Sequence, residues 1–579
     1  MKKYISDVVG DEFENWMLNQ FVFIEAPTGS GKTTFILEKL VEFAALKGRK
    51  ILYLVNRTIL KKQLEEKIDT DIKVNLRKFD DDEFNENLKN VIDIKMYQQI
   101  EEECKKNPQE LENSETEYKY IIADECHYFL ADSTFNTYTQ LSFDWIMAKR
   151  KNVNTVFISA TPGRFKELIL QDKRIHYEDE KLTEPTEINT NNMEVQILHE
   201  DMEFCTNVAE RIKTYQVDSD YSYINPFALK DTDDIVQTIK EEKGKWIVFV
   251  DSIKRGEEIQ SSLEKNEVKA IFMDSLLKDH DYNVRETIKE ISKIECFSEQ
   301  VLIATAVMDN GISIKDTKVR NLIIMADTYE EFLQMLGRKR MLNEEDTLNV
   351  YFLKRSSGDF ARKLKDVNEE LKFITRHQEM PSISLYEMVE SESCYYGVRR
   401  AYYLLEYLIK LNKFAFEQYR YLKRQYNKII GRFKEEDSSA FIREQMKWLG
   451  KGSEEIEKLV KEESERLYER ITKILEEYTG KKLTKEQNIE LRDSIRGDLK
   501  EFLTIKTDGD EQLKEKYRME INELGKTGKP KSDDSSAKPR PLTADKFNKI
   551  ATFLELKFKM KELKESDTYC MITKIDSQK

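Results

Sequence analysis

The sequence predicts an α/β protein with two doubly wound parallel sheets, followed by a helical C-terminal region. Short apolar strands alternate with helices over residues 1–165, and the same alternation returns over residues 241–355. Beyond residue 356 the chain changes to long segments rich in Lys and Glu, with apolar residues at helical spacing. These three observations indicate two α/β lobes and a helical region.

The two predicted lobes are recognised by their strands. In residues 1–165 the apolar, β-branched runs are FVFIEA, KILYLVN, VIDIKM, YIIADE and TVFISATP. A more polar connecting segment is predicted for residues 166–240. Residues 241–355 repeat the pattern with KWIVFVDS, VKAIFMDS, QVLIATAVMDNGISI, VRNLIIMADT and LNVYFLKR, but without a second glycine-rich phosphate loop.

The rest of the chain is predicted to be mainly helical. Residues 356–479 form a long-helix domain in which one amphipathic helix spans residues 404–433. Residues 480–579 begin with a capping box, Thr484 to Gln487, and end in the helix TADKFNKIATFLEL and two alternating strands. Helices followed by a terminal hairpin are typical of a winged-helix module. Residues 525–541, with three of the nine prolines, are expected to form a mobile loop.

Composition limits the class of protein. A chain of 579 residues exceeds one hydrophobic core, and no apolar run has the length of a membrane span. The N-terminus lacks the apolar stretch of a secretory signal, and the six cysteines form no C-x-x-C pair, which predicts reduced thiols, a cytoplasmic location and no zinc site. The net charge of −14 argues against a globally basic nucleic-acid-binding surface but allows a local basic channel.

A phosphate-binding loop is predicted between the first strand and its helix. APTGSGKTT fits the P-loop pattern, with Ala26 in place of the first glycine. The glycines let backbone N–H groups surround a phosphate, Lys32 reaches the β- and γ-phosphates of ATP, and Thr33 offers its hydroxyl to Mg²⁺. The candidate nucleotide-binding residues here are Thr28, Gly29, Ser30, Gly31, Lys32, Thr33 and Thr34.

Two carboxylates follow the strand YIIA in the stretch DECH. The carboxyl end of a parallel strand is where ligands bind in open α/β sheets. Beside a P-loop, Asp124 would complete the Mg²⁺ shell with Thr33, and Glu125 would orient or deprotonate an attacking water. Cys126 and His127 follow directly, but no second pair of ligands accompanies them, so the spacing does not predict zinc.

The ordered motifs resemble those of the superfamily-two helicases and translocases of the DExH type. The matching stretches are APTGSGKTT (motif I), LVNRTIL (Ia), MYQQI, DECH (II), SATP (III), VFVDS (IV), TAVMDNGISI (V) and QMLGRKRM (VI). The resemblance covers roughly residues 15–355 and implies two RecA-like lobes with ATP in the cleft between them and nucleic acid across both. The whole chain resembles uncharacterised helicases of Firmicutes and their mobile elements.

The resemblance also implies roles for individual residues. His127 would couple the ATP site to Ser159 and Thr161 of motif III, although a structural histidine is the alternative. Arg57 and Thr305 would contact the sugar-phosphate backbone, and Arg57 could equally be a solvated charge. The residues implied for the second lobe's side of the ATP site are Gln334, Arg338 and Arg340.

Motif VI departs from the common pattern Q-R-x-G-R-x-G-R. Its second arginine lies seven residues after the glutamine, and Met341 stands there in this sequence. Arg340 is one residue short, which on a helix is a rotation of about 100°. Either the local backbone differs, or Arg338 alone serves as the arginine finger and Arg340 has only a solvated or nucleic-acid-binding role.

The sequence therefore predicts an ATP-dependent translocase or helicase. The resemblance, and not these residues, implies DNA rather than RNA. The lack of an adenine-reading glutamine motif before the P-loop and Ser313 in place of the motif V aspartate both point away from the DEAD-box RNA group. Two alternatives stay open. One is an ATP-gated module that clamps nucleic acid or switches a partner, for which the helical C-terminal region would be the platform. The other is the motor subunit of a restriction or phage-defence complex whose nuclease lies elsewhere. In residues 418–434 basic and aromatic residues alternate, which suits either a nucleic-acid track or core-facing aromatics with a solvated basic face.

Overall fold

The computed structural model describes most of the chain. The described residues are 4–75, 90–176, 202–242, 244–274, 281–305, 313–343, 346–377, 401–405, 408–435, 439–507, 510–524, 543–564 and 568–575. They form two compact units: the first comprises residues 1–225, 236–350 and 363–425, and the second residues 226–235, 351–362 and 426–579. Every helix within the described ranges is too short or too polar to span a bilayer.

Lobe 1 contains a six-stranded sheet with the order β3-β2-β4-β5-β1-β6. Its neighbouring strands are all parallel, and the central strands are buried almost throughout, because both faces of the sheet are covered. The strands are β1 (Gln20–Glu25), β2 (Lys50–Val55), β3 (Ile92–Met96), β4 (Tyr118–Asp124), β5 (Asn154–Ser159) and β6 (Ile212–Gln216). The five predicted strands are confirmed. The sixth, β6, was missed because its sequence, IKTYQ, is polar and lies at the sheet edge.

The helices of lobe 1 cover this sheet. The helix after the P-loop is continuous over residues 32–46, with a π-helical turn at Ile36–Leu40 between its two α segments. The helices are α1 (Ile5–Val9), α2 (Lys32–Phe35), α3 (Val41–Leu46), α4 (Thr58–Asn75), α5 (Tyr97–Lys106), α6 (Tyr128–Ala131), α7 (Thr139–Lys149), α8 (Gly163–Leu170) and α9 (Lys173–His176).

Lobe 2 contains a second six-stranded sheet, with the order β7-β12-β11-β8-β10-β9. Strand β8 pairs in parallel with β10 and β11, as a doubly wound lobe requires. The strands are β7 (Ile224–Leu229), β8 (Lys245–Val250), β9 (Ala270–Met273), β10 (Val301–Thr305), β11 (Val319–Ile324) and β12 (Leu348–Leu353). The helices are α10 (Thr232–Glu241), α11 (Ile253–Lys265), α12 (Tyr282–Ile294), α13 (Tyr329–Arg338) and α14 (Ser357–His377).

The predicted helix over residues 404–433 is wrong at its beginning. Residues Tyr402–Leu405 (β13) and Leu408–Leu411 (β14) form an antiparallel hairpin, and the helix, α15, spans Lys413–Glu435. Asn412 determines the start, because its side-chain oxygen accepts hydrogen bonds from the backbone N–H groups of Phe414 and Ala415 at 3.0 and 3.2 Å. Apolar spacing alone does not reveal such an N-cap.

The second unit is mainly helical and ends in a small antiparallel sheet of order β15-β17-β16. The predicted capping box is confirmed, because the Thr484 hydroxyl accepts from the Gln487 backbone and the Gln487 side chain accepts from Thr484. Residues on both sides of position 480 share one core, and the predicted loop 525–541 lies outside the described residues. The elements are α16 (Ala440–Trp448), α17 (Ser453–Tyr478), β15 (Lys482–Leu483), α18 (Lys485–Lys506), α19 (Glu511–Leu524), α20 (Ala544–Phe553), β16 (Phe558–Lys564) and β17 (Thr568–Lys574).

A half-buried carboxyl in lobe 2 makes stability depend on pH. Burial and the nearby Asp327 raise the pKa of Glu331 to about 7 from an ordinary 4.5. The side chain accepts a hydrogen bond from the Asp327 backbone at 3.2 Å, and Lys363 pairs with Asp327. Between these two pKa values the folded chain holds a proton that the unfolded chain has lost, so stability falls as pH rises through this window.

We therefore expect Glu331→Gln to raise the free energy of unfolding relative to the parent at pH 8, by on the order of 2 kcal/mol. At pH 4, below both pKa values, the glutamate is mostly neutral in the folded and the unfolded parent, so the two proteins should be nearly equally stable. Urea unfolding at the two pH values measures the difference. The control is Glu258→Gln, an exposed carboxylate on α11, and a difference for Glu331→Gln that does not change with pH would contradict the prediction.

Candidate active site

The P-loop, residues 26–31, connects β1 to α2. Gly29 and Gly31 have φ values of 82° and 81°, a left-handed backbone that glycine adopts without strain. The Nζ atom of Lys32 donates hydrogen bonds to the carbonyl oxygens of Ala26 and Pro27 at 2.7 and 3.2 Å. Burial lowers the pKa of Lys32. The loop therefore has the backbone curvature and the cation that phosphate binding requires.

The two carboxylates of motif II lie at the end of β4. Glu125 has a φ of 49°, uncommon for a residue with a Cβ, and its backbone N–H donates to Asp124 Oδ1 at 2.9 Å. Burial and the neighbouring Glu125 raise the pKa of Asp124 to about 6. Burial alone would raise the pKa of Glu125, but His127, Lys32 and Arg338 lower it below its ordinary value. Glu125 is thus the more acidic carboxyl group of the pair.

His127 lies between motifs II and III. Its Nδ1 atom is 3.1 Å from Ser159 Oγ and 3.3 Å from Glu125 Oε2. The backbone N–H of Thr161 donates to the same Ser159 hydroxyl at 3.0 Å. The structure therefore brings together the three residues expected to couple the motifs, while the coupling itself stays a prediction.

Two tyrosines hold Asp124, and the sequence did not single them out. Tyr53 in β2 donates its hydroxyl to Asp124 Oδ2 at 3.0 Å and is also hydrogen-bonded to Thr33. Tyr97 at the start of α5 donates to the Asp124 carbonyl oxygen at 2.8 Å. The available signal was the hydroxyl itself, since a tyrosine in a buried strand needs a hydrogen-bond partner.

Lobe 2 contacts the P-loop through α13. A Cβ atom on Gly337 would lie 2.4 Å from Thr28 Oγ1, so glycine lets this helix approach the loop closely. Arg338, the last residue of α13, is only 7% exposed. Gln334 lies one turn earlier on the same helix. The first arginine and the glutamine of motif VI are therefore on an element that touches the P-loop.

Arg340 is not on the helix. The helix ends at Arg338, Lys339 is extended, and the Arg340 backbone N–H donates to the Ile314 carbonyl oxygen at 2.8 Å. Arg340 Nε donates to Ser313 Oγ at 3.0 Å. Burial and Arg338 lower the pKa of Arg340 to about 10, against the opposing charge of Glu125. The backbone of motif VI therefore leaves the helix before Arg340, as the first alternative from the sequence requires. Ser313, the unusual residue of motif V, and Arg340, the shifted arginine of motif VI, form one hydrogen bond.

The candidate nucleic-acid contacts are less exposed than expected. Arg57 forms an ion pair with Asp132 at 2.8 Å, and its side chain is 24% exposed. Thr305 is the buried last residue of β10, and residues 306–312 of motif V lie outside the described residues. On α15, Tyr419 and Tyr426 are buried, which confirms the core-facing interpretation of these aromatics.

Two family models match consecutive parts of the chain. Residues 6–164 match the type III restriction enzyme, res subunit, and residues 229–340 match the helicase conserved C-terminal domain. With these two matched domains the chain has the core of a superfamily-two helicase, a nucleic-acid-dependent ATPase. A search of curated proteins finds no match to this helicase.

Solved helicase structures are similar to this chain at low identity. Saccharomyces cerevisiae Dbp5, bound to RNA and ADP BeF3, has a TM-score of 0.38 and 13% identity, covering 58% of this chain and 80% of that chain. The Mycobacterium smegmatis helicase Lhr, bound to ssDNA and AMP-PNP, has a TM-score of 0.38 and 15% identity, covering 63% of this chain and 47% of that chain. The Escherichia coli DEAH/RHA helicase HrpB has a TM-score of 0.37 and 12% identity, covering 63% of this chain and 46% of that chain.

Unpaired polar atoms in motifs II, III and VI suit a bound triphosphate. A buried polar atom without a partner costs about 1–3 kcal/mol, so several in one place indicate a ligand site. They are mostly N–H or O–H groups, which phosphate oxygens and water can satisfy. Within the described residues, the buried atoms of these motifs that have no hydrogen-bond partner are His127 Nε2, Thr161 Oγ1, Gln334 Nε2, Arg338 Nε and Arg340 Nη1.

The Tyr53 hydroxyl tests the proposed Mg²⁺ ligands. We expect Tyr53→Phe to weaken divalent-cation binding in the presence of ATP by about tenfold or more, because Asp124 and Thr33 lose the group that orients both. Mn²⁺ titration followed by electron paramagnetic resonance measures this without turnover. The control is Tyr120→Phe, a buried tyrosine on β4 that pairs with Arg49 instead. Parent-like Mn²⁺ affinity for Tyr53→Phe would contradict the prediction.

Proposed function

We propose that this helicase couples ATP hydrolysis between its two lobes to movement along, or unwinding of, DNA. The observation that carries the proposal is the contact of α13 with the P-loop, which brings Arg338 and Arg340 of lobe 2 within electrostatic reach of Glu125 in lobe 1. A cation that reaches the catalytic carboxylate from the opposite lobe makes hydrolysis depend on the distance between lobes. Chemistry and movement are thereby linked.

Each motif residue has a defined part in this reaction. Lys32 and the backbone of residues 28–31 hold the triphosphate. Thr33 and Asp124 would hold Mg²⁺, which would supply positive charge to the phosphates. Glu125 is ionised at neutral pH and accepts the proton of the attacking water. Arg338, assisted by Arg340, donates to the γ-phosphate oxygens as charge develops on them.

The nucleic acid would lie across both lobes. Arg57 and Thr305 are the proposed backbone contacts, and Arg57 would exchange its Asp132 partner for a phosphate. Backbone contacts carry no base information, so the motor should show little sequence preference. The family resemblance favours DNA over RNA, and the missing upstream glutamine motif and Ser313 in motif V point away from the DEAD-box RNA group.

The predicted division of the chain is part of the proposal. We place lobe 1 at residues 1–165, a connection at 166–240 that adds β6 to the lobe 1 sheet and β7 to the lobe 2 sheet, lobe 2 at 241–355, the long-helix domain at 356–479 and a winged-helix module at 480–579. The small sheet of order β15-β17-β16 with its flanking helices supports the last assignment. This helical region is the proposed platform for a protein partner.

A second candidate is the motor subunit of a restriction or phage-defence complex. The match of residues 6–164 to a restriction enzyme res subunit favours it. In this case the chain would translocate on duplex DNA without separating strands on its own. A pure ATP-gated clamp would bind nucleic acid in an ATP-dependent way without moving.

The decisive experiment is ATP turnover with no nucleic acid and with single- and double-stranded DNA and RNA, followed by strand displacement and duplex translocation. Lys32→Ala is the matched control, since removing the phosphate-binding cation should abolish turnover in every arm. Stimulation by DNA with displacement or translocation supports the motor. Stimulation only by RNA would overturn the DNA assignment, and stimulation without displacement or translocation would favour the clamp.

A further inference from the structure

Three side chains from distant parts of the first unit meet beside the active site. Arg164 follows motif III at the start of α8, Glu330 lies in the first turn of α13, and Tyr421 lies on α15. The Arg164 guanidinium carbon is 3.3 Å from the centre of the Tyr421 ring, and the Tyr421 hydroxyl donates to Glu330 Oε2 at 3.1 Å. Arg164 Nη1 is also 3.9 Å from Glu330 Oε1. We call this group the clasp.

The helix that carries Tyr421 is fixed to lobe 1. Asn412 Nδ2 donates to the Thr137 carbonyl oxygen at 2.9 Å and to the Thr139 hydroxyl at 3.0 Å. One residue into the helix, Phe414 packs against Phe143 and Phe165 with ring centres 5.0 and 6.0 Å apart. Phe165 directly follows Arg164, so two of the three clasp residues share one rigid support in lobe 1.

The third clasp residue belongs to the element that carries the arginine finger. Glu330 precedes Gln334 by four residues and Arg338 by eight, which places the three side chains one helical turn apart on one side of α13. A helix moves as a rigid rod over this length. Holding Glu330 against lobe 1 therefore limits where Gln334 and Arg338 can be.

The charges of the clasp are partly withdrawn from water. The side chains of Arg164 and Glu330 are only 21% and 17% exposed. In such surroundings a cation over an aromatic face and a phenol hydrogen bond to a carboxylate are both stronger than at an exposed surface. These contacts can therefore hold the start of α13 against lobe 1.

We propose that Tyr421, Arg164 and Glu330 are positioning residues that hold α13 on the P-loop, so that the helix following the two lobes controls how often the arginine finger engages. The proposal rests on the proposed function of Arg338. It assigns a role in the ATPase cycle to a residue outside the helicase motifs. None of the three is assigned contact with the reacting atoms.

The test is a series of substitutions read out by kcat and by the Kd of a fluorescent ATP analogue. Tyr421→Phe keeps the ring over Arg164 and loses the hydroxyl, so kcat should fall about tenfold while the Kd stays unchanged. Tyr421→Leu also loses the ring, so its kcat should fall further than that of Tyr421→Phe. As a single substitution, Glu330→Gln should lower kcat. Added to Tyr421→Phe it should lower kcat little further, because both changes remove the same contact.

Hydrogen exchange gives a readout that does not need turnover. Amides of α13, measured with a non-hydrolysable ATP analogue bound, should exchange faster in Tyr421→Leu than in the parent. The control is Lys423→Ala, an exposed position on the same helix, which should match the parent in both measurements. If Tyr421→Leu does not fold, Tyr421→Phe alone decides the question.

Either of two results would overturn the clasp: parent-like kcat and parent-like α13 exchange in folded Tyr421 variants, or fully additive effects of Tyr421→Phe and Glu330→Gln. A parent protein that binds but never hydrolyses ATP would instead contradict the proposed function. In that event the exchange of α13 still decides whether the clasp exists.

Discussion

Arg338→Ala is expected to lose about 10³-fold or more in ATP turnover, while ATP binding survives. The side chain is almost completely buried, its Nε atom has no hydrogen-bond partner among the described residues, and it lowers the pKa of Glu125 across the lobe interface. A cation aimed at the γ-phosphate stabilises charge that exists mainly in the transition state, so its removal affects kcat and not the Kd. Single-turnover hydrolysis together with nucleotide binding measures both quantities.

Arg340 provides the informative comparison. Its guanidinium is tied to Ser313 and lies within reach of Glu125, so we expect Arg340→Ala to lose at least about tenfold in turnover. Arg320→Ala, an exposed arginine on β11 of the same lobe, is the control and should match the parent. Parent-like turnover for Arg340→Ala would remove Arg340 from the mechanism, and the same result for Arg338→Ala would contradict interlobe catalysis itself.

Glu125→Gln is expected to abolish nearly all hydrolysis and to retain ATP, leaving the protein in a closed, nucleic-acid-bound form. Glutamine preserves the size and hydrogen-bonding shape of the side chain but cannot accept the proton of the attacking water, and a positioned base contributes about 10²–10⁴-fold. The unusual left-handed backbone at this residue aims the side chain in either protein. Turnover, ATP affinity and nucleic-acid affinity with ATP present are the three measurements.

The pattern of losses separates base catalysis from disruption of the site. Glu125→Gln should bind ATP like the parent, whereas Lys32→Ala should lose both binding and turnover. The control Glu117→Gln changes an exposed carboxylate just before β4 and should have no effect. Hydrolysis at the parent rate by Glu125→Gln would show that the catalytic base is another group.

The sequence alone was sufficient for the parts of the protein that depend on local chemistry. A P-loop needs its glycines, lysine and threonine within one short stretch, and motif II needs two adjacent carboxylates at the end of a buried strand. Both motifs could therefore be identified from the sequence, at Lys32 and at Asp124–Glu125. The alternation of strands and helices likewise predicted both lobes, because fully buried parallel strands have continuous apolar runs. Ten predicted strands lie where the structure has them.

What the tertiary structure decided is the set of relations between residues far apart in the chain. That Arg340 leaves the helix to meet Ser313, that Tyr53 joins Thr33 to Asp124, and that Tyr421 reaches Glu330 are contacts between elements that no local pattern encodes. The hairpin before Asn412 was missed for a related reason, since its residues suit a helical stripe equally well until packing and an N-cap select one conformation. The residues of each motif lie close together in the sequence, so the motif can be recognised there. How the motifs of the two lobes are positioned relative to one another depends on packing between segments that are distant in the sequence.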